Sequence, residues 1–504
     1  MTVSGPDRGA YAMTEPKGRL LAALGAITLL RFLVAAMAPL APDEAYYWVW
    51  SHALAPGYVD HPGMVALWIR IGTAIAGEGA FGIRLLGPIS GAIGSVLLWD
   101  AAERLIPGRN AGAWAATLLN ATLLFGVGTV IMTPDTPLLF FWTAALWALA
   151  RIGTERALGW WVLAGLFAGL AMASKYTAVF LWTGVALWLA WVPAMRIHWR
   201  RPGPWIGGLA GALVFLPVVL WNADHGWAGF LRQGGRVADW QPSRALTFLG
   251  ELVGGQFGLA TPLIALLFGA GIVAATRLAW GRRDPAASLL AAVTLPPVAV
   301  FLQHALGDRV QGNWPAILYP AAAIAATTCA APFWSRIRRP ALLLGLFVTG
   351  LAYLQATTAV LPIPPRRDPI ALQLAGWSTL AEEVAATAAT TGAHFVVVDQ
   401  YALASELAHA LPGDLPVLAV DPRWGMMDLP AAAPGMARGL LVRDRRRTDA
   451  IGPSWQDPTQ VGEASRRGVQ DFTLTLVRLG PDLAPVRLPR PTPVRSLPPP
   501  AQAR

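Results

Sequence analysis

Long apolar runs alternate with short polar segments along the chain as far as residue 361. A run of about 20 apolar residues is the length that an α-helix needs to cross the hydrocarbon core of a bilayer. The pattern therefore predicts a polytopic α-helical membrane protein with about eleven spans. They are expected near residues 20–41, 83–102, 112–131, 135–150, 159–174, 176–194, 205–221, 259–278, 287–304, 314–332 and 340–361.

Two of the segments between the predicted spans are long enough to hold structure of their own. They cover residues 42–82 and 222–258, and both are expected on the outer side of the membrane. Within the first, residues 61–77 are too short and too interrupted to span, which predicts a helix lying in the membrane interface. Residues 20–361 are thus expected to form a transmembrane domain, preceded by a cytoplasmic tail of residues 1–19.

The composition changes after residue 361, where a proline-rich and arginine-rich linker begins. Helices are predicted at residues 377–391 and 401–411, and strands at 394–399, 416–420, 439–443 and 472–479. Such alternation predicts a small α/β domain over residues 362–480, outside the membrane. Residues 481–504 are rich in proline and arginine, a composition typical of disorder.

The chain of 504 residues has a formal net charge of +10, and its basic residues concentrate in alternate loops. Cytoplasmic loops carry the excess of positive charge, so the basic loops are expected inside and the C-terminal domain outside. The basicity therefore encodes topology, which disfavours a nucleic-acid-binding face. The single cysteine, Cys329, lies in an apolar run and excludes both an intrachain disulfide and a site built from several thiolates.

Acidic residues are rare in the membrane half, and two of them follow the first span directly. Asp43 and Glu44 precede an aromatic run that includes Tyr46. A carboxylate pair at a membrane surface suits general-base catalysis on a hydroxyl or amine, because a low local dielectric raises a carboxylate pKa towards the working pH. A second interpretation is that Asp43 caps a short helix after Pro42, and the two interpretations are compatible.

Two short outer turns carry one charge each. Asp135 either caps the fourth span, with Pro137 near the first helical position, or faces the same cleft as Asp43. Lys175 runs against the positive-inside trend, which favours a phosphate partner over a lysine that extends its ammonium to the membrane surface.

The long outer loops hold further candidates for substrate binding. His61 could bind a phosphate or coordinate a metal, with Asp60 orienting it, or the Asp-His-Pro sequence could be turn chemistry alone. Arg232 and Arg236 are candidates for a phosphate or pyrophosphate anion. Arg31 lies in the middle of a span and is either functional or a structural anchor.

The sequence contains no Asp-x-Asp motif, no Walker-type loop and no glycine-rich dinucleotide fingerprint after a strand. A site on the outer face would meet no cytoplasmic nucleotide donor. A lipid-linked donor fits this position, because the lipid reaches the site sideways from the bilayer.

Three motifs stand in the outer segments in the order PDEAYYW at 42–48, YVDHP at 58–62 and TPDTP at 133–137. This order resembles that of the family 39 glycosyltransferases, the protein mannosyltransferase relatives that include the bacterial aminoarabinose transferase of lipid A. SKY at 174–176 and QGNWPA at 311–316 also resemble segments of bacterial members. The resemblance covers residues 20–360 and continues to about residue 420.

The resemblance implies a C-type glycosyltransferase fold in the bacterial inner membrane and inverting transfer from a polyprenyl-phosphate sugar on the periplasmic face. The acceptor would be an envelope lipid, polysaccharide or protein, and a requirement for a divalent metal ion stays open. Asp43 would be the general base and Asp135 the second functional aspartate, while Glu44 is a catalytic candidate as the other member of the carboxylate pair. The expected substrate contacts, with the cations stabilising the leaving phosphate, are Tyr46, Tyr58, Asp60, His61, Lys175, Arg232 and Arg236.

One position departs from the aminoarabinose transferases. They carry a lysine before the proline pair of the first loop, where this chain has His61, Pro62 and Gly63. This difference puts an aminoarabinose donor in doubt and favours a neutral sugar, because protein mannosyltransferases also place a histidine there.

Two other classes of protein predict a different distribution of charged residues. A transporter or flippase for lipid-linked glycans predicts charged groups along a path through the membrane interior, whereas most acids here are expected on the outer side. A structural scaffold gives no reason for Asp43, Asp135 and Lys175 to share one side.

Overall fold

Helices occupy the apolar part of the chain, and strands begin only after residue 394. The computed structural model describes residues 8–152, 157–235, 240–329, 331–433, 435–447, 449, 451–452 and 454–491. The helices are α1 (Arg8–Met37), α2 (Pro42–His52), α3 (Met64–Ala76), α4 (Ala80–Arg84), α5 (Leu86–Leu105), α6 (Ala111–Asn120), α7 (Leu123–Gly128), α8 (Asp135–Leu149), α9 (Ala157–Met172), α10 (Val179–Trp191), α11 (Pro202–Asp224), α12 (Ala228–Gly234), α13 (Ala245–Leu259), α14 (Pro262–Arg282), α15 (Pro285–His304), α16 (Tyr319–Ala326), α17 (Pro332–Thr358), α18 (Pro369–Leu374), α19 (Trp377–Thr391) and α20 (Tyr401–Ala410). The strands are β1 (Phe395–Val398), β2 (Val417–Ala419), β3 (Gly439–Asp444), β4 (Trp455–Ser465), β5 (Asp471–Leu479) and β6 (Val486–Arg487).

The chain forms two compact units that do not follow the sequence order. The first contains Met1–Ala35, Pro56–Val65 and Leu86–Tyr353. The second contains Ala36–Ala55, Ala66–Leu85 and Leu354–Arg504. Most of the first outer loop, including Asp43, thus belongs to the same unit as the C-terminal domain, whereas the sequence placed it in the transmembrane domain.

Among the described residues, six helices are long and apolar enough to cross a membrane, or seven if the bent pair Tyr176–Trp191 and Pro193–Arg200 is one span. The predicted multi-pass membrane protein is confirmed, but the count of about eleven spans is not. The other expected spans coincide with α6 and α7, α8, α9 and α16, which are shorter or interrupted. The 15-residue helix α8, for example, is about 22 Å long, less than the roughly 30 Å of a hydrocarbon core.

Two expectations about the ends of elements differ from the structure. Helix α1 begins at Arg8, well before the predicted start of the first span. The predicted outer loop at 222–258 contains α12 and the apolar helix α13. Four glycines within α13 and the polar residues just before it weaken the apolar signal of this helix in the sequence.

Glycines set the tightest helix contact of the first unit, between α9 and α11. A Cβ on Gly165 would lie 1.8 Å from the carbonyl oxygen of Gly207, and one on Gly169 would lie 2.4 Å from that of Gly211. Both helices thus carry small residues four positions apart, the spacing that lets membrane helices approach closely.

The second unit is built on a sheet with the strand order β4-β5-β3-β1-β2-β6. Strand β1 pairs in parallel with β2 and β3, while β4, β5 and β6 add antiparallel neighbours. Its apolar core includes Phe395, Val397, Leu418, Leu441 and Val477. The predicted helix at 377–391 is α19, and the predicted strands coincide with β1, β2, β3 and β5.

Two strands were not expected from the sequence. Strand β4 carries mostly exposed polar residues, so it lacks the apolar alternation that reveals a strand. Strand β6 lies within the tail predicted to be disordered, and its register against β2 pairs Val486 with Ala419. The structure describes this tail as far as residue 491, and the rest of the prediction lies outside the described residues.

A buried carboxyl group on α20 predicts how the second unit responds to pH. Glu406 is 2% exposed, and burial raises its pKa well above the usual 4.5, with Glu44 adding to the rise and Arg466 opposing it. The folded protein therefore holds a proton that the unfolded chain releases, so stability is lost as pH rises above the unfolded pKa. We expect Glu406→Gln to melt a few degrees above the wild type at about pH 8, and the difference to shrink towards about pH 5.

Thermal unfolding of the full chain in detergent measures this effect. Glu382→Gln, at an exposed position of α19, is the matched control and should leave the pH profile unchanged. Equal melting temperatures for wild type and Glu406→Gln across the whole range would contradict the assignment.

Candidate active site

In the first unit, a buried charge cluster joins three of the motifs found in the sequence. The Lys175 ammonium donates to both carboxylate oxygens of Asp135, at 2.8 and 2.9 Å. The side-chain amide of Asn313 donates to the same carboxylate at 2.5 Å. Asp135 and Lys175 are 8% and 6% exposed, so the pair is largely removed from water.

Local backbone structure holds each member of this cluster. Asp135 is the first residue of α8, and the hydroxyl of Thr136 fixes the preceding turn by donating to the carbonyl of Gly128 at 2.9 Å. Lys175 lies in extended conformation between α9 and α10. Asn313 immediately precedes the 3₁₀ turn Trp314–Leu318.

The cluster changes what Asp135 and Lys175 can do. The residue that caps α8 is Pro134, so Asp135 is not simply a helix cap. The sequence favoured a phosphate as the partner of Lys175, but the positive charge is balanced by Asp135 within the protein. Because a buried charge without a partner is strongly destabilising, each side chain stabilises the other in its position.

The segment around residues 56–65 is a compact turn of the same unit. The amide of Tyr58 donates to the carbonyl of His61 at 2.9 Å, and Gly57 bridges to Pro62. Tyr58 is 1% exposed, so its predicted role as a substrate contact gives way to a structural one. Asp60 and His61 are the polar residues of this motif that keep partly exposed side chains.

Asp60 connects this turn to the second long outer segment. Its carboxylate accepts from Nε of Arg232 at 2.7 Å, and its carbonyl accepts from the side chain of Gln233 at 2.6 Å. The side chain of Arg232 is about half exposed, at 48%. Arg232 thus combines an internal ion pair with a face open to a ligand. Arg236, its predicted companion, lies outside the described residues.

In the second unit, Asp43 and Glu44 occupy opposite environments although they are adjacent. Asp43 is exposed in the first turn of α2, where the helix dipole favours a negative charge. Ala41 is the N-cap residue, and its N–H donates to the carboxylate of Glu44 at 3.0 Å. The cap that the sequence attributed to Asp43 is therefore made by Glu44, which leaves Asp43 turned towards solvent.

Glu44 was predicted to be catalytic, and its surroundings oppose this role. Nε and Nη2 of Arg84 donate to its two carboxylate oxygens at 2.7 and 2.5 Å. The same guanidinium donates to the carbonyls of Ala38 and Pro39, both at 2.7 Å. Both side chains are fully buried, so we assign Glu44 to positioning α2 rather than to proton transfer.

Tyr46 was predicted to contact substrate, but it is 2% exposed and lies in an aromatic cluster of the second unit. Its ring centroid lies 4.6 Å from that of Tyr401 and 5.5 Å from that of Trp424. The guanidinium of Arg423 stacks on Tyr401 at 3.9 Å. Tyr46 therefore attaches α2 to the C-terminal domain.

Glu78, which the sequence did not single out, fastens the other end of α2. Its carboxylate accepts from the indole N–H of Trp48 at 2.6 Å and lies 3.6 Å from His52. The hydrogen bonds from His52 and Trp48 hold the pKa of Glu78 below its usual value. Its carbonyl also bonds His409 of α20 at 3.0 Å.

Sequence reasoning missed Arg84 and Glu78 around α2 in the second unit, and Asn313 beside Asp135 in the first. Arg84 had a usable signal, because a lone arginine at the start of an apolar run needs a partner acid. Asn313 lay in a quoted motif without a role. Among the residues that the structure covers, no group of three or more His, Cys, Asp or Glu side chains is placed to hold a metal ion.

Comparisons with known proteins agree with this architecture. Residues 60–221 match the family model described as dolichyl-phosphate-mannose-protein mannosyltransferase. The lipid A galacturonosyltransferase RgtD of Rhizobium johnstonii is 30% identical over 375 residues, covering 73% of this chain and 77% of that protein. The undecaprenyl phosphate-alpha-4-amino-4-deoxy-L-arabinose arabinosyl transferase of Edwardsiella ictaluri is 28% identical over 206 residues, 36% of each chain.

Among solved structures, ArnT from Cupriavidus metallidurans in the apo state superposes with a TM-score of 0.62 at 15% identity, covering 92% of this chain and 98% of that one. The fold is thus that of the C-type membrane glycosyltransferases. The chain belongs to the family 39-like, protein mannosyltransferase-related glycosyltransferases, and it is a multi-pass membrane enzyme.

The first prediction concerns the buried ion pair between Glu44 of α2 and Arg84. Arg84→Met leaves the Glu44 carboxylate buried without its cation, which should lower stability by about 3–5 kcal/mol. The melting temperature of the purified protein measures the loss. The double variant Glu44→Gln/Arg84→Met is the control, and it should lose less than the two single variants together. An unchanged melting temperature for Arg84→Met would contradict the structural role of the pair.

Variants of Asp135 and Lys175 distinguish a structural role of this ion pair from a catalytic one. Asp135→Asn and Lys175→Met should each destabilise the protein, and the double variant should recover most of the melting temperature because no charge is left unpaired. We expect sugar transfer by the double variant to stay at least about tenfold low, since an electrostatic contribution to catalysis is not restored by neutral groups. Transfer at the wild-type rate by the double variant would assign the pair to structure alone.

Proposed function

We propose that this enzyme transfers a sugar from a polyprenyl-phosphate donor to a lipid of the cell envelope, with inversion at the sugar carbon. The observation that carries the proposal is the similarity to a lipid A galacturonosyltransferase over most of both chains. Relatives named as undecaprenyl-phosphate arabinosyl transferases support the class of donor. Lipid A is the first acceptor to test, and a galacturonosyl carrier the first donor. This acidic sugar differs from the neutral sugar that His61 favoured in the sequence, and the similarity to the galacturonosyltransferase decides the order of testing.

Asp43 is proposed as the general base. Its carboxylate takes the proton of the acceptor hydroxyl as that oxygen attacks the anomeric carbon, and the carrier phosphate leaves from the opposite face of the sugar. Exposure of Asp43 beside the buried Glu44 supports this division of roles. That Asp43 and Asp135 line one cleft stays a prediction.

The leaving phosphate needs positive charge that strengthens its binding in the transition state. Arg232 is proposed for this role because its side chain is half exposed while Asp60 holds it. Lys175 is proposed to contribute through a further N–H, with Asp135 and Asn313 fixing its position. His61 is proposed to contact the carrier at the position where the aminoarabinose transferases have lysine.

The proposed location is the bacterial inner membrane, with the N-terminus cytoplasmic and the α/β domain periplasmic. The basic loops alternate along the chain as the positive-inside rule requires. We propose that the shorter helices α6 to α9 and α16 complete crossings that no single one of them is long enough to make.

The test is sugar transfer in membranes from radiolabelled polyprenyl-phosphate sugars, with lipid A as acceptor. Asp43→Asn keeps the size of the side chain and removes its basicity. We expect a loss of at least about 100-fold in transfer, the contribution typical of a general base. Binding of the donor, measured separately by retention of labelled lipid, should be nearly unchanged.

Asp224→Asn is the matched control, because Asp224 is also an exposed acid at a helix end. Both variants must insert at the wild-type level, measured by an epitope tag. If Asp43→Asn transfers sugar as fast as Asp224→Asn, Asp43 is not the base. If the wild type transfers label to protein or polysaccharide but not to lipid A, the proposed acceptor is wrong.

A further inference from the structure

Helices α9, α10 and α11 of the first unit enclose an apolar groove of about 290 Å³. We call it the α9–α11 groove. Its lining includes the side chains of Trp161, Trp182, Ala186, Leu189, Trp199 and Trp205.

The groove forms because α10 packs less closely against α9 and α11 than these two helices pack against each other. Helices α9 and α11 touch along their glycines, with a Cβ on Gly207 only 2.3 Å from the carbonyl oxygen of Trp161. Trp182 of α10 lies against Gly211, so the large ring holds α10 away from the other two helices. The chain then bends by 110° between α10 and the 3₁₀ helix Pro193–Arg200, which leaves one end of the groove open.

The groove has the length of one membrane leaflet. Along α10 its lining runs from Leu181 to Leu189, a rise of about 12 Å. Half of a hydrocarbon core is about 15 Å thick. A single acyl chain therefore fits the groove from the membrane surface almost to the midplane.

The open end of the groove is positively charged and aromatic. Arg196, Arg200 and Arg201 are exposed there, and Trp199 and Trp205 pack with ring centroids 5.7 Å apart. The sequence contains no Asp or Glu between residues 156 and 223. Within the described residues, α9, α10 and the 3₁₀ helix Pro193–Arg200 contribute no acid at this end. The one acid of α11, Asp224, lies at its opposite terminus, so the positive charge here complements a phosphate group.

We propose that the α9–α11 groove binds one anionic phospholipid, with an acyl chain in the groove and the phosphate at Arg200 and Arg201. Basic pockets between membrane helices are the sites where anionic headgroups bind. Tryptophan rings at the membrane surface match the level of the glycerol and ester groups.

The position of the arginines favours a phospholipid over the polyprenyl carrier. Helix α9 leads from the groove end to Lys175 over 16 residues, a rise of about 24 Å. A lipid with its phosphate at Arg200 therefore lies in the leaflet opposite to the Lys175 turn. The α9–α11 groove is thereby separate from the donor site proposed above, and binding at the groove can be measured without sugar transfer.

Native mass spectrometry of the full chain in detergent tests the proposal by titration with phosphatidylglycerol and phosphatidylcholine. We expect one tightly bound phosphatidylglycerol and a preference over phosphatidylcholine. Arg200→Gln/Arg201→Gln should weaken phosphatidylglycerol binding by roughly tenfold or more, since each basic side chain adds to the attraction of an anionic headgroup. Arg336→Gln/Arg339→Gln, a pair of exposed arginines in another basic loop, is the matched control and should bind as the wild type does.

A second pair of variants tests the groove itself. Ala186 is exposed and lines the groove, so Ala186→Phe fills it without removing packing, whereas Leu187→Phe changes its exposed neighbour outside the lining. Only Ala186→Phe should lose the bound lipid. Equal retention by both variants, or equal binding of the two phospholipids, would overturn the proposal. Displacement of phosphatidylglycerol by equimolar undecaprenyl phosphate would overturn it in favour of a carrier site.

Discussion

The fully buried ion pair between Glu44 and Arg84 fixes the first turn of α2, and the exposure of Asp43 depends on it. Arg84 also binds the carbonyls of Ala38 and Pro39, so one guanidinium orients both the helix and the chain that enters it. Neighbouring residues of a helix point about 100° apart. Holding Glu44 inward therefore turns Asp43 outward, as its proposed role as general base requires.

The rest of α2 is fastened to the C-terminal domain inside the second unit. Tyr46 packs on Tyr401. Glu78 accepts a hydrogen bond from Trp48 through its carboxylate, and its backbone carbonyl bonds His409. The C-terminal domain is therefore a support for the candidate base as well as a separate fold. Because α2 is attached to this domain, the stability of the domain, which depends on the buried carboxyl of Glu406, also affects the position of Asp43.

Several buried charged groups in the described part of the first unit have a partner that keeps them in place. Asp135 and Lys175 neutralise each other, and Asn313 completes the carboxylate's hydrogen bonds. Arg31 is 1% exposed with its guanidinium carbon 5.3 Å from the ring centroid of Phe125, which favours a structural anchor over a group on a wet path. The charges left exposed, such as Arg232 and the arginines of the 196–201 loop, are those suited to anionic ligands.

The sequence by itself determined the membrane class, the family and most elements of the α/β domain, because these follow from apolar run length, local periodicity and contiguous motifs. Helix α19 and strand β1 were predictable for that reason. Only the tertiary structure decided which of two adjacent acids is exposed and whether Lys175 is already paired. The partners that decide it, Arg84 for Glu44 and Lys175 for Asp135, are each 40 positions away along the chain, and no local pattern specifies a contact at that separation.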